Sequence, residues 1–162
     1  MQVRRFAGVI AVHDDRIVLV RERHESWGGE FWNIPSGMLE RHETPVVGAV
    51  RELAEETGLV AATDGLRLVG TSSTTSETHR SLAWNFTTVI DRPLIAVNDP
   101  DDLILGAEWF TRGKAIDLLR RLPYRPLREP VVAYLTKSVE PGSHWRYDTA
   151  DADPVVTSLG EA

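Results

Sequence analysis

Gly37-Met38-Leu39-Glu40-Arg41-His42-Glu43-Thr44-Pro45-Val46-Val47-Gly48-Ala49-Val50-Arg51-Glu52-Leu53-Ala54-Glu55-Glu56-Thr57-Gly58-Leu59 is the stretch of this 162-residue sequence that decides its reading. Thr44 followed by Pro45 has the form of an N-cap with proline at the first helical position, and Gly58 is placed to close the helix in a left-handed turn. At ~100° per residue, Val50, Leu53 and Thr57 fall within ~40° of Val46, whereas Glu52, Glu55 and Glu56 fall at roughly 180–280°. One face is core and the other is a cluster of carboxylates. Glu52 stands one turn from both Glu55 and Glu56, so the three repel by a few tenths of a kcal/mol per pair. A divalent cation reverses that penalty. Mg²⁺ takes hard oxygen ligands and is usually held by a few carboxylates together with substrate phosphates, which an open glutamate face provides. Arg51, one turn before Glu55, is placed to hold a carboxylate by charge-assisted hydrogen bonds.

An acidic helix face is most often just a solvated surface, so the helix alone does not establish a metal site. The longer spacing does more. Gly37, then Glu43, then Arg51-Glu52-Leu53-Ala54-Glu55-Glu56-Thr57-Gly58-Leu59 resembles the Nudix box at every fixed position. A chance match in a chain of this length is on the order of one in ten million. The flanking Phe31-Trp32-Asn33-Ile34-Pro35 and Ala107-Glu108-Trp109-Phe110 also look like Nudix segments.

The resemblance implies an α/β fold, a Nudix-type α/β/α sandwich with a mixed β-sheet. It implies Mg²⁺-dependent hydrolysis of a diphosphate bond in a nucleoside diphosphate linked to another moiety, with Mn²⁺ as a substitute. Carried over residue by residue, Glu52, Glu55 and Glu56 bind metal and Gly37 contributes its backbone carbonyl. Arg51 orients the glutamates, and Glu43 supports the helix from the preceding loop. Glu52 or Glu55 takes the proton of the attacking water, or a later loop carboxylate does so; Glu77 and the Asp99-Pro100-Asp101-Asp102 run are the loop candidates, although simple turn-forming chemistry is the better explanation of both. Arg21 and Arg23 share one face of their strand, where relatives often place a phosphate-contacting base, and Trp27, Trp32 and Trp84 are candidates to stack on a nucleobase. Ser36 and His42 occupy positions where many relatives carry glycine. Subfamilies acting on ADP-ribose or diadenosine polyphosphates often carry proline or tyrosine where this chain has Thr71-Ser72-Ser73-Thr74-Thr75-Ser76.

Rival readings are a catalytically silent ligand sensor of the same fold and an RNA 5′-end pyrophosphohydrolase. The first could dispense with the metal carboxylates, all of which are present. The second gains nothing from a formal net charge of −6, which offers no global attraction to nucleic acid or anionic membrane. With no cysteine, disulfides, thiolate-bound zinc and a cysteine nucleophile are excluded, and a reducing cytoplasm is the expected compartment.

Hydrophobic residues at 42% and charged residues at 26% are ordinary globular usage. No segment approaches transmembrane length. Strands are expected over 3–13 and 16–23 around the turn His13-Asp14-Asp15, then over 31–34, 66–73, 81–91 and 107–110. Helices are expected over 113–122 and 130–137 beyond the one at 44–57. Residues 1–139 form the expected hydrolase domain. Residues 140–162 form a polar tail whose Trp145 and Tyr147 favour packing on the domain or crossing to a partner in a homodimer.

Overall fold

The structure, a computed structural model, describes residues 1–158, so the last four residues of the expected tail, 159–162, lie outside it. The first strands are β1 (Gln2–His13) and β2 (Arg16–His24), joined by Asp14 and Asp15, both left-handed with φ of 47° and 61°. Two successive left-handed residues match the twist of a tight hairpin, and Asp tolerates that conformation better than most residues. The hairpin is short-lived. β1 and β2 pair only at Val12↔Ile17 and His13↔Arg16 before they splay. β2 then pairs with β3 (Gly29–Asn33), while β4 (Ser36–Met38) takes its place beside β1 through Gly8↔Ser36 and Ala7↔Gly37. Pro35 separates β3 from β4, and its carbonyl accepts the Val9 amide at 2.9 Å. The opening between the splayed strands is where the site forms.

Helix α1 (Pro45–Thr57) begins and ends where Thr44, Pro45 and Gly58 dictate: the Thr44 hydroxyl accepts the Val47 amide, and Gly58 closes the helix at φ 75°. A side chain at Gly58 would strike the Ala96 carbonyl as well as strain the backbone. Downstream come β5 (Arg67–Thr75), β6 (His79–Val89), β7 (Ile104–Thr111), α2 (Arg112–Leu119), α3 (Arg125–Leu135), β8 (Ser143–Tyr147) and β9 (Val155–Thr157). The sheet runs β3-β2-β1-β6-β5-β8-β9, with β4 also on β1 and β7 on β2. β1 with β6 and β5 with β8 are parallel and the other pairs antiparallel, so the sheet is mixed.

Two apolar clusters make three layers. Ala7, Val9, Ala11 and Val18 pack with Leu53 and Leu59 on the α1 side, and Ile10, Ile17 and Leu19 pack with Leu118, Leu119, Val131 and Leu135 on the α2/α3 side. Among the described residues no helix is long and apolar enough to cross a membrane.

Of the expected helix 130–137, residues 130–135 prove to be the second part of α3, which starts at Arg125 with Pro126 near its N-terminus, carries Pro130 inside and ends at Leu135. Tail residues 143–157 extend the sheet, β8 lying parallel to β5 from Gly70↔Ser143 to Thr74↔Tyr147. Tyr147 is 1% exposed, and its hydroxyl donates to Glu129 at 2.8 Å. Burial, then the glutamate, pushes that hydroxyl's pKa up. Trp145 stacks near Tyr147 at 6.5 Å, and Arg125 ties Glu129 to Asp153. Both tail aromatics thus find their partners within the chain.

Candidate active site

β4 lays Gly37 against α1 so closely that a Cβ there would meet the Glu52 carboxylate at 2.2–2.5 Å. Only glycine leaves the carboxylate room beside its backbone. The neighbouring Ser36 amide donates to Glu56 Oε2 at 3.1 Å. Because β4 covers α1 in this way, the glutamate face is less open than its sequence suggests: Glu52 and Glu56 are 8% and 6% exposed, and Glu55 keeps more contact with solvent. Burial raises the pKa of both, with the Arg51 contact opposing the rise at Glu52. Glu56 is pushed up to about 9 by burial first and by the charges of Glu52 and Glu22 second.

Arg51 is the hub of the cluster. Its guanidinium donates two bonds to Glu43 at 2.8 and 2.9 Å, one to Glu52 at 2.9 Å, one to Glu55 at 3.2 Å and one to the Met38 carbonyl at 3.1 Å. The planar fork suits such multiple capture. The Arg51 bond holds Glu43 below the usual carboxylate range, and Glu43 reciprocally raises the proton affinity of Arg51.

A carboxylate that the sequence reading missed completes the group. Glu22 faces the interior from β2, accepts from Asn33 at 3.4 Å, and has its pKa raised by burial, with Asp99 adding to the rise. Flanked by Arg21 and Arg23, it reads in sequence as part of a solvated charged strand; the only signal for it was strand alternation, which sends it to the side opposite those arginines.

Between the splayed strands and the start of α3 lies a cleft of about 430 Å³, reached by Gly37, Ser36, Glu22 and Asn33 at one end and by Arg4 and His79 at the other. Trp27 is the predicted aromatic that lines it, stacked on His24 at 3.8 Å with the Tyr124 ring nearly parallel at 6.2 Å. The other predicted substrate contacts do not line the cleft. Arg21 and Arg23 turn toward Glu30 at 3.9 and 3.3 Å. Trp32 packs edge-on against Phe110, and Trp84 packs in the α1-side cluster with the Arg5 guanidinium above its ring. Asp99 spends its carboxylate on the amides of Asp101, Leu103 and Ile104, a turn, while exposed Glu77 lies in the β5–β6 connection.

The model of the NUDIX domain matches residues 2–135. The chain belongs to the Nudix family. Its Nudix box is the 37–59 stretch, and β8 and β9 lie beyond the matched domain. The chain is similar to an RNA pyrophosphohydrolase of Zymomonas mobilis, 39% identical over 59 residues, 36% of this chain and 37% of that protein. It is also similar to an 8-oxo-dGTP diphosphatase of Proteus vulgaris, 40% identical over 53 residues, 33% of this chain and 47% of that protein. The matched stretches thus span less than half of these relatives. Among solved structures, a mutator MutT protein of Bacillus halodurans superposes with a TM-score of 0.66 at 17% identity, covering 98% of this chain and 99% of that one. At that identity the likeness shows the Nudix fold alone.

Proposed function

We propose that this chain is a Mg²⁺-dependent hydrolase of a diphosphate bond in a nucleoside diphosphate derivative, with Mn²⁺ able to substitute. The observation that carries the reading is the burial of Glu52 against Gly37, where a Cβ would displace its carboxylate, and of Glu56 against the Ser36 amide. Buried carboxylates that repel one another are costly unless a cation or a proton compensates. Among the described residues no three His, Asp or Glu side chains already stand as a ligand set. Arg51 holds Glu52 and Glu55 instead.

The donors fit the ion: the hard carboxylate oxygens of Glu52, Glu55 and Glu56, together with the carbonyl of Gly37, which lines the cleft. When bound, Mg²⁺ supplies Lewis acidity that eases ionisation of water and offsets charge on the bridging and terminal phosphate oxygens. Glu52 or Glu55 is the proposed proton acceptor, Arg51 positions both, and Glu43 anchors Arg51 from outside. Arg51 withdraws no donor from phosphate by doing so, because its five N–H groups already serve the protein.

The test is product release from nucleoside triphosphates, nucleotide sugars, dinucleotides, coenzyme A and 5′-triphosphorylated RNA, with Mg²⁺ and again in excess chelator. Turnover that survives the chelator would overturn the metal reading, and no turnover on any substrate would favour a silent ligand sensor. A small-molecule substrate and a cytoplasmic setting accompany the proposal, as does a homodimer. For the last, support comes from the outer edge of β9, where Val155 and Val156 are exposed. A single-chain mass by light scattering at high concentration would remove it.

A further inference from the structure

The Ser/Thr run Thr71–Ser76 lies mainly on β5, and its alternate members are treated differently. Thr71 and Ser73 are partnered: their hydroxyls bracket the His144 ring at 2.8 and 3.2 Å. Ser72 and Thr74 line the cleft, are 5% and 6% exposed, and make no side-chain hydrogen bond among the described residues. Strand β6 continues the pattern, since Thr74 is in register with Ser81, and Ser72 with Ala83. One step nearer the glutamates, Asn85, 7% exposed and also without a side-chain partner among the described residues, sets its Oδ1 over Gly8, where a Cβ would meet it at 2.9 Å. Buried polar groups are normally hydrogen-bonded; these line the cleft, and Thr74 and Ser81 also border a second opening beside Tyr124.

From Asn85 to Ser81 the row extends about 13 Å along the strand, with no charge in its middle. A phosphate has no counter-charge there; Arg4, opposite Ser81, stands at the far row. His24, Trp27 and Tyr124 also line the cleft, the Trp27 ring lying 10° from the plane of His24 and 15° from that of Tyr124. A neutral hydrogen-bonding floor beside near-parallel aromatic rings fits a planar polar ring.

We propose that Ser72, Thr74, Ser81 and Asn85 read the hydrogen-bonding edge of the substrate's nucleobase, held against the Trp27/Tyr124 wall, and so set which nucleotide derivative is cleaved. The proposal rests on the hydrolase reading above for the position of the diphosphate, but its test does not need turnover. The probes are the four nucleoside 5′-monophosphates, glucose 1-phosphate and inorganic phosphate, titrated by calorimetry into the full chain with Mg²⁺; none carries an anhydride to cleave.

At least one nucleoside monophosphate is expected to bind ten-fold or more tighter than glucose 1-phosphate or phosphate. Ser72→Ala/Thr74→Val should remove that advantage, and Ser73→Ala, on the His144 side, should leave it within two-fold. Thermal melts of each variant report folding, and Ser72→Ala alone serves if the double variant unfolds. Equal binding of all probes, tighter binding of glucose 1-phosphate, or an unchanged nucleotide affinity in Ser72→Ala/Thr74→Val would each overturn the assignment. Nucleotide selectivity without turnover on any anhydride would leave this floor standing and remove the hydrolase reading.

Discussion

Glu56→Gln tests the carboxylate cluster through stability and activity together. The Glu56 carboxyl, ordinarily at 4.5, is pushed up to about 9 in the folded chain. A folded pKa raised in this way favours the native state below the unfolded value, and that advantage is lost as pH rises toward the folded one. At pH 7 the folded chain holds the proton while the unfolded chain has released it. The gap of about 2.5 pH units corresponds to about 3 kcal/mol of forfeited stability. Gln is neutral in both states and still offers an oxygen to the Ser36 amide, so metal-free Glu56→Gln should be more stable by up to about 3 kcal/mol at pH 7. For a domain of this size that is roughly 6–12 °C in Tm. At pH 5 the gain should shrink to under about 1 kcal/mol. Turnover should fall about 100-fold or more, and Mg²⁺ should raise the Tm of the wild type but hardly that of the variant. Melts in chelator and turnover with Mg²⁺ on one preparation check both halves. An unchanged Tm with near-normal turnover would refute the site, and a lower metal-free Tm would show that Glu56 is a structural residue.

The wild type without metal should lose stability steadily from pH 5 to 9, since burial raises Glu22, Glu52 and Glu56 alike, and chemical denaturation at several pH values with and without Mg²⁺ measures it. Gly37→Ala should fold yet lose about 100-fold or more in activity, because its Cβ needs the space of the Glu52 carboxylate; a calorimetric Mg²⁺ titration separates this from misfolding. Arg51→Lys should cost about 2–4 kcal/mol by denaturant melt, one ammonium being unable to replace a fork that serves Glu43, Glu52, Glu55 and the Met38 carbonyl. His42→Gly should stabilise by about 0.5–1 kcal/mol, since His42 sits at φ 67° where glycine carries no penalty.

Local chemistry made α1 and the glutamates legible. A threonine cap, Pro45 and Gly58 act within one turn of the residues they govern, and the box spacing ties the helix to Gly37. What escaped depends on distant chain. Covering of Glu52 and Glu56 needs β4 to displace β2 beside β1, an outcome of the splay after Val12 that no local pattern encodes. Glu22 needs the same splay. The start of α3 was misplaced because Pro130 imitates a first helical residue, whereas Pro126 already fills that role and Pro130 simply forgoes its bond to the turn before. Strands β8 and β9 are short, and β8 finds its partner β5 about 73 residues earlier, with β9 then pairing on β8.

The parallel pairing of β1 with β6 joins positions 77 residues apart, as at Ile10 and Thr87. During translation at roughly 5–20 residues per second, the apolar stretch Val9-Ile10-Ala11-Val12 therefore waits about 4–15 s for its central partner to be synthesised. The β1–β2 hairpin pairs at only two positions and on the opposite edge of β1, so it leaves the edge that receives β6 uncovered. Until β6 arrives, the nascent chain presents an open, β-branched strand, which makes the interval before about residue 89 its period of greatest exposure to aggregation and to chaperone capture.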